Sequence, residues 1–264
     1  SDDNSGFGAS YGNMETKVIA GNTFDYPYLH GKAIKEAGYS FVSASVKAVT
    51  QGKINLNEYR YVNIILGKQK QTVSGISKKE TEFKTFPLAL QQSLAAYCRA
   101  GGNLLISGAF TGSDFYNGNY IKTEEKVFME SVLKFRYNPS KSDFSFRVKM
   151  VNSPFPHFHR AEFNLYDSPQ EQMYYLESAD AIEPAGDGAV TFCRYASTNL
   201  SAGIIYSGLY KLCITGFPFE VIKSEKERNK FMESVMMFFN SAHKQRTERS
   251  NPIQTNTRIK KDIH

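Results

Sequence analysis

A chain of 264 residues with 41% hydrophobic and 22% charged side chains has an ordinary globular composition, enough for one large domain or two small ones. At this length the core needs no staples, and no apolar run approaches the roughly 20 residues that cross a bilayer, so no membrane span is expected. The net charge of +6 is concentrated in residues 243–264, where Lys244, Arg246, Arg249, Arg258, Lys260 and Lys261 outweigh Glu248 and Asp262 to give +4 and leave +2 for the rest. A nucleic-acid-binding stripe should lie on the folded body, so nucleic acid is not an expected partner.

Residues 1–15 are polar and rich in Gly, Asn and Ser, and read as a linker. Lys17–Gly21 (KVIAG) reads as a short buried strand. Asn22–Tyr26 forms a loop, and Pro27 opens a helix to about Ala37, since proline in a first helical turn forfeits no hydrogen bond. Gly38 ends that helix. Tyr39–Ala44 and Tyr61–Gly67 (YVNIILG) follow as strands, the second with the continuous apolar pattern of a strand covered on both faces. A lysine-bearing loop leads to a helix from about Lys84 to Ala100, closed by Gly101-Gly102. Asn103–Ser107 is a further strand, Gly108–Asp114 a glycine-punctuated loop, and Thr123–Lys134 another helix.

This alternation predicts βαβ units and an α/β fold: a three-layer sandwich with a mostly parallel central sheet, occupying residues 16–242. Residues 144–200 read as a β-rich extension, placed at the sheet edge. Phe144–Val151, Ala189–Tyr195, Ala202–Ser207 and Lys211–Gly216 all have strand patterns, the last three as an antiparallel meander that rejoins the core. Ser224 is the expected N-cap of a helix to about Asn240, with Glu225 and Glu227 in its first turn. Residues 243–264 read as a basic polar tail.

The three cysteines, Cys98, Cys193 and Cys213, are widely spaced without a C-x-x-C pair, and read as buried hydrophobes. Neither a phosphate-binding P-loop nor a dinucleotide fingerprint is present, so no cofactor is expected.

The helix, strand and glycine-rich turn at residues 84–114, together with Gly216-Phe217-Pro218-Phe219-Glu220 and the helix after it, resemble class I glutamine amidotransferases. That family places a nucleophilic Cys on a G-x-C-x-G elbow and a His and Glu in a late F-H-P-E motif. Glu220 matches the motif glutamate, but Pro218 stands where the histidine should be, and the elbow offers Gly108 or Phe110, depending on register. Cys98 lies about ten residues upstream, inside the preceding helix. Nucleophilic catalysis needs a nucleophile and a base within hydrogen-bond reach, so glutaminase chemistry is not expected.

Val18–Lys32 (VIAGNTFDYPYLHGK), Leu66–Thr72 (LGKQKQT) and Gly101–Asp114 (GGNLLISGAFTGSD) are similar to the flavodoxin-like, amidotransferase-like domain of exported bacterial proteins called xanthan lyases. The resemblance covers roughly residues 5–240 and implies that fold, export to the periplasm or cell surface, and neighbouring domains of a larger protein as partners.

In open parallel sheets, ligands bind beyond the carboxyl ends of the strands. The loops there bring Asp25, Lys68, Ser107, Asp114 and Glu220 towards one rim, as candidates for hydrolase or lyase chemistry on a polysaccharide. Against this stands the capping and bracing role that Asp and Ser commonly take in such loops. Asn22, Phe24, Tyr26, Tyr28, Phe110, Ser113, Tyr116 and Tyr120 combine aromatic faces with polar groups and are the expected contacts for a carbohydrate ligand. His30, after the first loop, is a further base candidate beside Asp25; His157 and His159 are the weak candidates for a metal, which is otherwise not expected. The leading expectation is a non-catalytic domain that binds a glycan or serves as a scaffold.

Overall fold

The computed structural model describes residues 25–74, 80–140, 146–151, 161–168, 173, 174, 176 and 178–241. The linker expected at 1–15, the strand at Lys17–Gly21 and the tail at 243–264 lie outside the described residues.

Helix α1 (Asp25–Glu36) buries Tyr26, His30, Ala33 and Ile34, the one-face spacing of an amphipathic helix. A short helix α2 (Val46–Thr50) is capped by Ser45, whose Oγ accepts from the Ala48 N–H at 3.1 Å. Strand β1 (Tyr61–Gly67) leads to a small ladder of β2 (Thr72–Ser74) and β3 (Glu80–Glu82). Helix α3 (Leu88–Arg99) then precedes β4 (Asn103–Gly108). It begins at Leu88, not at Lys84, because Pro87 disfavours helical geometry in the residue before it. Its end is as expected: Gly101 adopts φ 86°, and the Gly102 N–H reaches the Tyr97 carbonyl at 3.0 Å.

A hairpin of β5 (Tyr116–Asn117) and β6 (Tyr120–Ile121) follows, then α4 (Thr123–Val127) and a π-helical turn, Phe128–Val132. The helix expected over Thr123–Lys134 is therefore two helical types in series, and Lys134 at φ 60° ends it. Strand β7 (Phe135–Asn138) pairs with β10 (Ala181–Pro184), while β8 (Arg147–Met150) and β9 (Glu162–Asn164) join the main sheet. The meander appears as β11 (Ala189–Tyr195), β12 (Ser201–Ser207) and β13 (Lys211–Thr215). Helix α5 (Glu225–Asn240) closes the domain, with Ser224 as N-cap accepting from the Glu227 N–H.

The main sheet has seven strands in the order β1-β4-β13-β12-β11-β8-β9. Only the β1–β4 and β4–β13 pairings are parallel, and the four others are antiparallel. The fold is α/β as expected; among the described residues the sheet is mixed and mostly antiparallel, with parallel pairing confined to β1, β4 and β13 and the expected antiparallel extension continuing from them. The cause is the extension: β11, β8 and β9 continue the main sheet outward. Tyr39–Ala44 forms no strand, because a strand requires a hydrogen-bonded neighbour and this segment has none among the described residues.

Alternate residues of the central strands feed two apolar clusters, one on each face. Leu105 and Cys213 pack with α1 and α5, whereas Leu104, Ile106, Leu212 and Ile214 pack with α3 and the Phe128–Leu133 turn. Lys211, fully buried at the start of β13, caps α5: its Nζ donates to the Phe238 carbonyl at 2.8 Å, to the Ser241 Oγ at 3.0 Å and to the Ser241 carbonyl.

Gly216, just past β13, lies tight against a neighbouring backbone. A Cβ there would stand 1.9 Å from the Asp180 carbonyl oxygen and 2.9 Å from its carbon, both backbone atoms. Gly216→Ala is expected to cost about 1–3 kcal/mol, read as a lower urea midpoint with an unchanged m-value.

Candidate functional site

Beyond the carboxyl ends of β1, β4 and β13 the chain makes three turns. Gly67 opens the first with φ 55°, and its carbonyl accepts from the Ala109 N–H at 2.8 Å, tying it to the second turn. The third carries Phe217–Glu220, with Phe219–Val221 as a 3₁₀ turn.

Glu220 is fully buried, and both of its carboxylate oxygens are engaged. Oε2 lies 3.2 Å from His30 Nε2, and Oε1 accepts from the Tyr174 hydroxyl at 2.9 Å. The other imidazole nitrogen, Nδ1, is 2.8 Å from Asn63 Nδ2. An amide N–H₂ can only donate, so Nδ1 accepts, Nε2 carries the proton, and the imidazole donates to Glu220. The ring also packs on Phe219 with centroids 4.6 Å apart. Tyr26 meets Tyr174 edge to face at 5.1 Å, and the Lys68 ammonium lies 5.5 Å from the Tyr174 ring centre. Thus α1, β1, the turn after β13 and the segment at Tyr174 converge on one buried polar network.

The second turn is held by two buried acids. Asp114 accepts from the Gln71 N–H at 2.7 Å and from the Thr85 N–H and hydroxyl at 2.8 and 3.0 Å. Burial nevertheless holds its carboxyl above the ordinary carboxylate range. One oxygen of Asp180 accepts from the Gly112 and Ser113 N–H groups, each at 2.7 Å. Those two bonds favour the carboxylate, but burial outweighs them and pushes the Asp180 pKa up to about 6. Adjacent amides of a sharp turn are the donors an oxyanion would use; here the protein's own acid occupies them.

At Gly108 the elbow leaves no room for a nucleophile. A Cβ at Gly108 would fall 2.6 Å from the Leu66 Cβ, which cannot swing aside as a chain end would. Phe110, the other register, lies under the Lys70 ammonium at 4.9 Å. The three cysteines are buried and free, as expected. Burial pushes the Cys98 thiol up to about 12, with Cys193 and Cys213 shifted in the same direction. None is an activated thiolate.

Of the rim candidates, Lys68 and Glu220 meet around Tyr174, whereas Asp114 serves the separate Thr85–Gln71 network. The Ser107 Oγ is buried and has no hydrogen-bond partner among the described residues. Asn22, Phe24, His157 and His159 lie outside the described residues, as does the side chain of Asp25. Tyr26 is only 5% exposed, which corrects its expected role: its ring serves the core and presents no face to a ligand. Tyr116 is half-buried beside Tyr137, at 5.4 Å between centroids, and Ser113 is partly buried. Tyr28 and Tyr120 are 63% and 67% exposed. Among the described residues no cluster of three metal-ligating side chains occurs, and no helix is long and apolar enough to cross a membrane.

Sequence reasoning missed Asn63, Tyr174 and Asp180. Only His30 left a trace, as a polar residue on the apolar stripe of α1.

No family model matches the chain, and no curated protein matches it. Similar solved structures include an exo-β-1,4-mannosidase from Opitutaceae bacterium strain TAV5, at TM-score 0.46 and 11% identity, over 88% of this chain and 33% of that one. A GMP synthase subunit from Thermoplasma acidophilum gives TM-score 0.45 and 11% identity over 83% and 89%. A ThuA-like protein from Bacteroides uniformis gives 0.45 and 10% over 83% and 87%. The latter two have glutamine amidotransferase-like folds. All three likenesses fall below a TM-score of 0.5, and none of them assigns an activity.

Two measurements probe these networks. Glu220→Ala strands the His30 N–H and the Tyr174 hydroxyl in the interior and is expected to cost about 3 kcal/mol or more; Glu220→Gln, which keeps an acceptor, should cost less in the same urea titration. For Asp180 the folded pKa of about 6 exceeds the ordinary 3.8. The native state therefore holds the extra proton between those values, and stability falls as pH rises through that window, by at most about 3 kcal/mol. Asp180→Asn keeps one oxygen for both amides and should flatten that part of the pH–stability profile.

Proposed function

We propose that this chain is a non-catalytic, glutamine amidotransferase-like domain that binds a glycan through exposed aromatic faces, as one part of an exported protein. The observation that carries the non-catalytic half is the closure of the elbow: Gly108 sits against the Leu66 Cβ, and Asp180 occupies the Gly112 and Ser113 donors. The base is committed as well, since both nitrogens of His30 and both oxygens of Glu220 have internal partners. A hydrolase or lyase built on Asp114 and Glu220 would need at least one carboxyl facing substrate, and both are buried.

Support for the glycan half comes from Tyr28 at the start of α1 and Tyr120 on the hairpin after β4, both exposed near the carboxyl end of the sheet. Tyrosine offers a sugar an apolar face and a hydroxyl on one rigid ring. The exported, polysaccharide-handling setting is supported by the resemblance of Val18–Lys32, Leu66–Thr72 and Gly101–Asp114.

The purified protein should show no glutaminase turnover. Gly108→Cys should show none either and should be less stable, because the added Cβ displaces Leu66. Turnover above background in either protein would sink the reading. An oligosaccharide panel followed by tyrosine fluorescence should give saturable binding that is lost in Tyr28→Ala or Tyr120→Ala. A panel without response would leave the scaffold role in its place.

A further inference from the structure

Past β12 the main sheet continues as β11, β8 and β9. Cys193, Tyr195, Val148 and Met150 of these strands enter the core beside α5, so the alternate residues Arg194 and Lys149 stand on the opposite face. The two are direct partners in the β11–β8 register, which sets their Cβ atoms about 5 Å apart. They line an open cleft together with Thr191 and Val151, and with Glu183 and Pro184 from the end of β10. We propose that this cleft binds a ligand that carries a carboxylate beside hydroxyl groups, with the carboxylate between Lys149 and Arg194. The inference goes beyond the aromatic glycan reading and does not depend on it, since it uses other residues on another part of the sheet.

Like charges directly opposite one another weaken a sheet, and opposite charges are the usual solution on an exposed face. Here the neighbours do not relieve the pair. Glu162, opposite Lys149 on β9, turns to Arg147 at 3.6 Å. Lys149 has no ion-pair or hydrogen-bond partner among the described residues. Arg194 donates through Nη1 to the Asn199 carbonyl at 2.8 Å, which engages one of the five N–H donors of its guanidinium. Glu183 is ion-paired to neither cation among the described residues, and its Oε1 accepts from the Ser201 N–H at 3.4 Å. Two fixed cations thus bring N–H donors to one point, where a carboxylate would accept charge-assisted hydrogen bonds from both.

The remaining lining selects the rest of the ligand. An ionised Glu183 only accepts hydrogen bonds and repels a second anionic group, so the position beside it suits a hydroxyl and excludes a polyphosphate or a nucleic-acid backbone. Val151 and Pro184 offer apolar contact for the C–H groups between carboxylate and hydroxyls. A single carboxylate, neighbouring hydroxyls and a short carbon skeleton describe a hydroxy acid, either free or as the acidic unit of a sugar chain.

Calorimetry on the full chain at low ionic strength, with gluconate, acetate and glucose as probes, tests the inference. Gluconate should bind saturably at one site, and acetate and glucose at least about tenfold more weakly, since each lacks one half of the recognised chemistry. Lys149→Gln should weaken gluconate binding at least about tenfold without lowering the urea midpoint, because the substitution also removes the like-charge contact. Glu183→Gln should narrow the gap between gluconate and acetate, and Tyr28→Ala should leave gluconate binding unchanged, which keeps this site apart from the aromatic one. An oligosaccharide ending in a uronate that binds more tightly than gluconate assigns the cleft to a sugar chain, and weaker binding assigns it to a free hydroxy acid. No gluconate binding, or binding indifferent to Lys149→Gln, would overturn the proposal. Acetate binding as tight as gluconate would overturn it too, by reducing the cleft to a pair of charges.

Discussion

The arrangement of the rim depends on one close crossing, where Gly216 passes Asp180. The Asp180 N–H donates to the Gly216 carbonyl, the Gly216 N–H donates to the Ala202 carbonyl, and the Tyr195 hydroxyl donates to the Asp180 carbonyl at 2.9 Å. Only a residue without a Cβ lets the two backbones approach this closely. From that fixed point the Asp180 side chain reaches the Gly112 and Ser113 amides, and the chain beyond Gly216 turns into Phe217–Glu220. Thr111 adds a second tie, its hydroxyl lying 2.9 Å from the Gly108 carbonyl and 3.1 Å from that of Thr215. The elbow and the turn carrying Glu220 are thus positioned by the same few atoms.

The same contacts crowd the turn after β4. A nucleophile elbow works when its side chain is exposed, its neighbouring amides are vacant, and a base stands within reach. Here the first position is filled by Leu66, the amides by Asp180, and the base by Asn63 and Glu220. The three contacts are distributed over β1, the turn after β4 and the turn after β13. The acids that remain are explained by bracing. Asp114 joins Gln71 and Thr85, which stand on either side of the β2–β3 ladder, and carries that load without meeting solvent.

What the sequence disclosed depended on the range of the interaction. Ser224 before two early glutamates, Gly101-Gly102 after an apolar stripe, and the alternating runs from Ala189 to Thr215 are local signals, and each element stands where it was expected. Pro87 was equally local, and reading it would have started α3 correctly. The π-helical turn at Phe128–Val132, whose Phe128 packs beside Phe86 and Phe115, has no such signature. The sheet's mixed character was partly legible, since the antiparallel meander and an extension at the sheet edge were expected, but the order and pairing of β8 and β9 are a tertiary outcome. The His30–Glu220 contact joins residues 190 positions apart, and nothing short of the fold announces it.

That contact also decides what Glu220 signifies. A carboxylate in a strand-end turn invites a catalytic reading, yet a buried carboxylate is tolerated only when charge-compensating or hydrogen-bonding partners surround it. Glu220 has two, His30 from α1 and Tyr174 from the extension, and His30 in turn is held by Asn63 of β1. Replacing this acid would disturb three elements at once, which accounts for it without any reaction. His30 reaches this carboxylate from α1, and both of its ring nitrogens face internal polar groups, Nε2 towards Glu220 and Nδ1 towards Asn63.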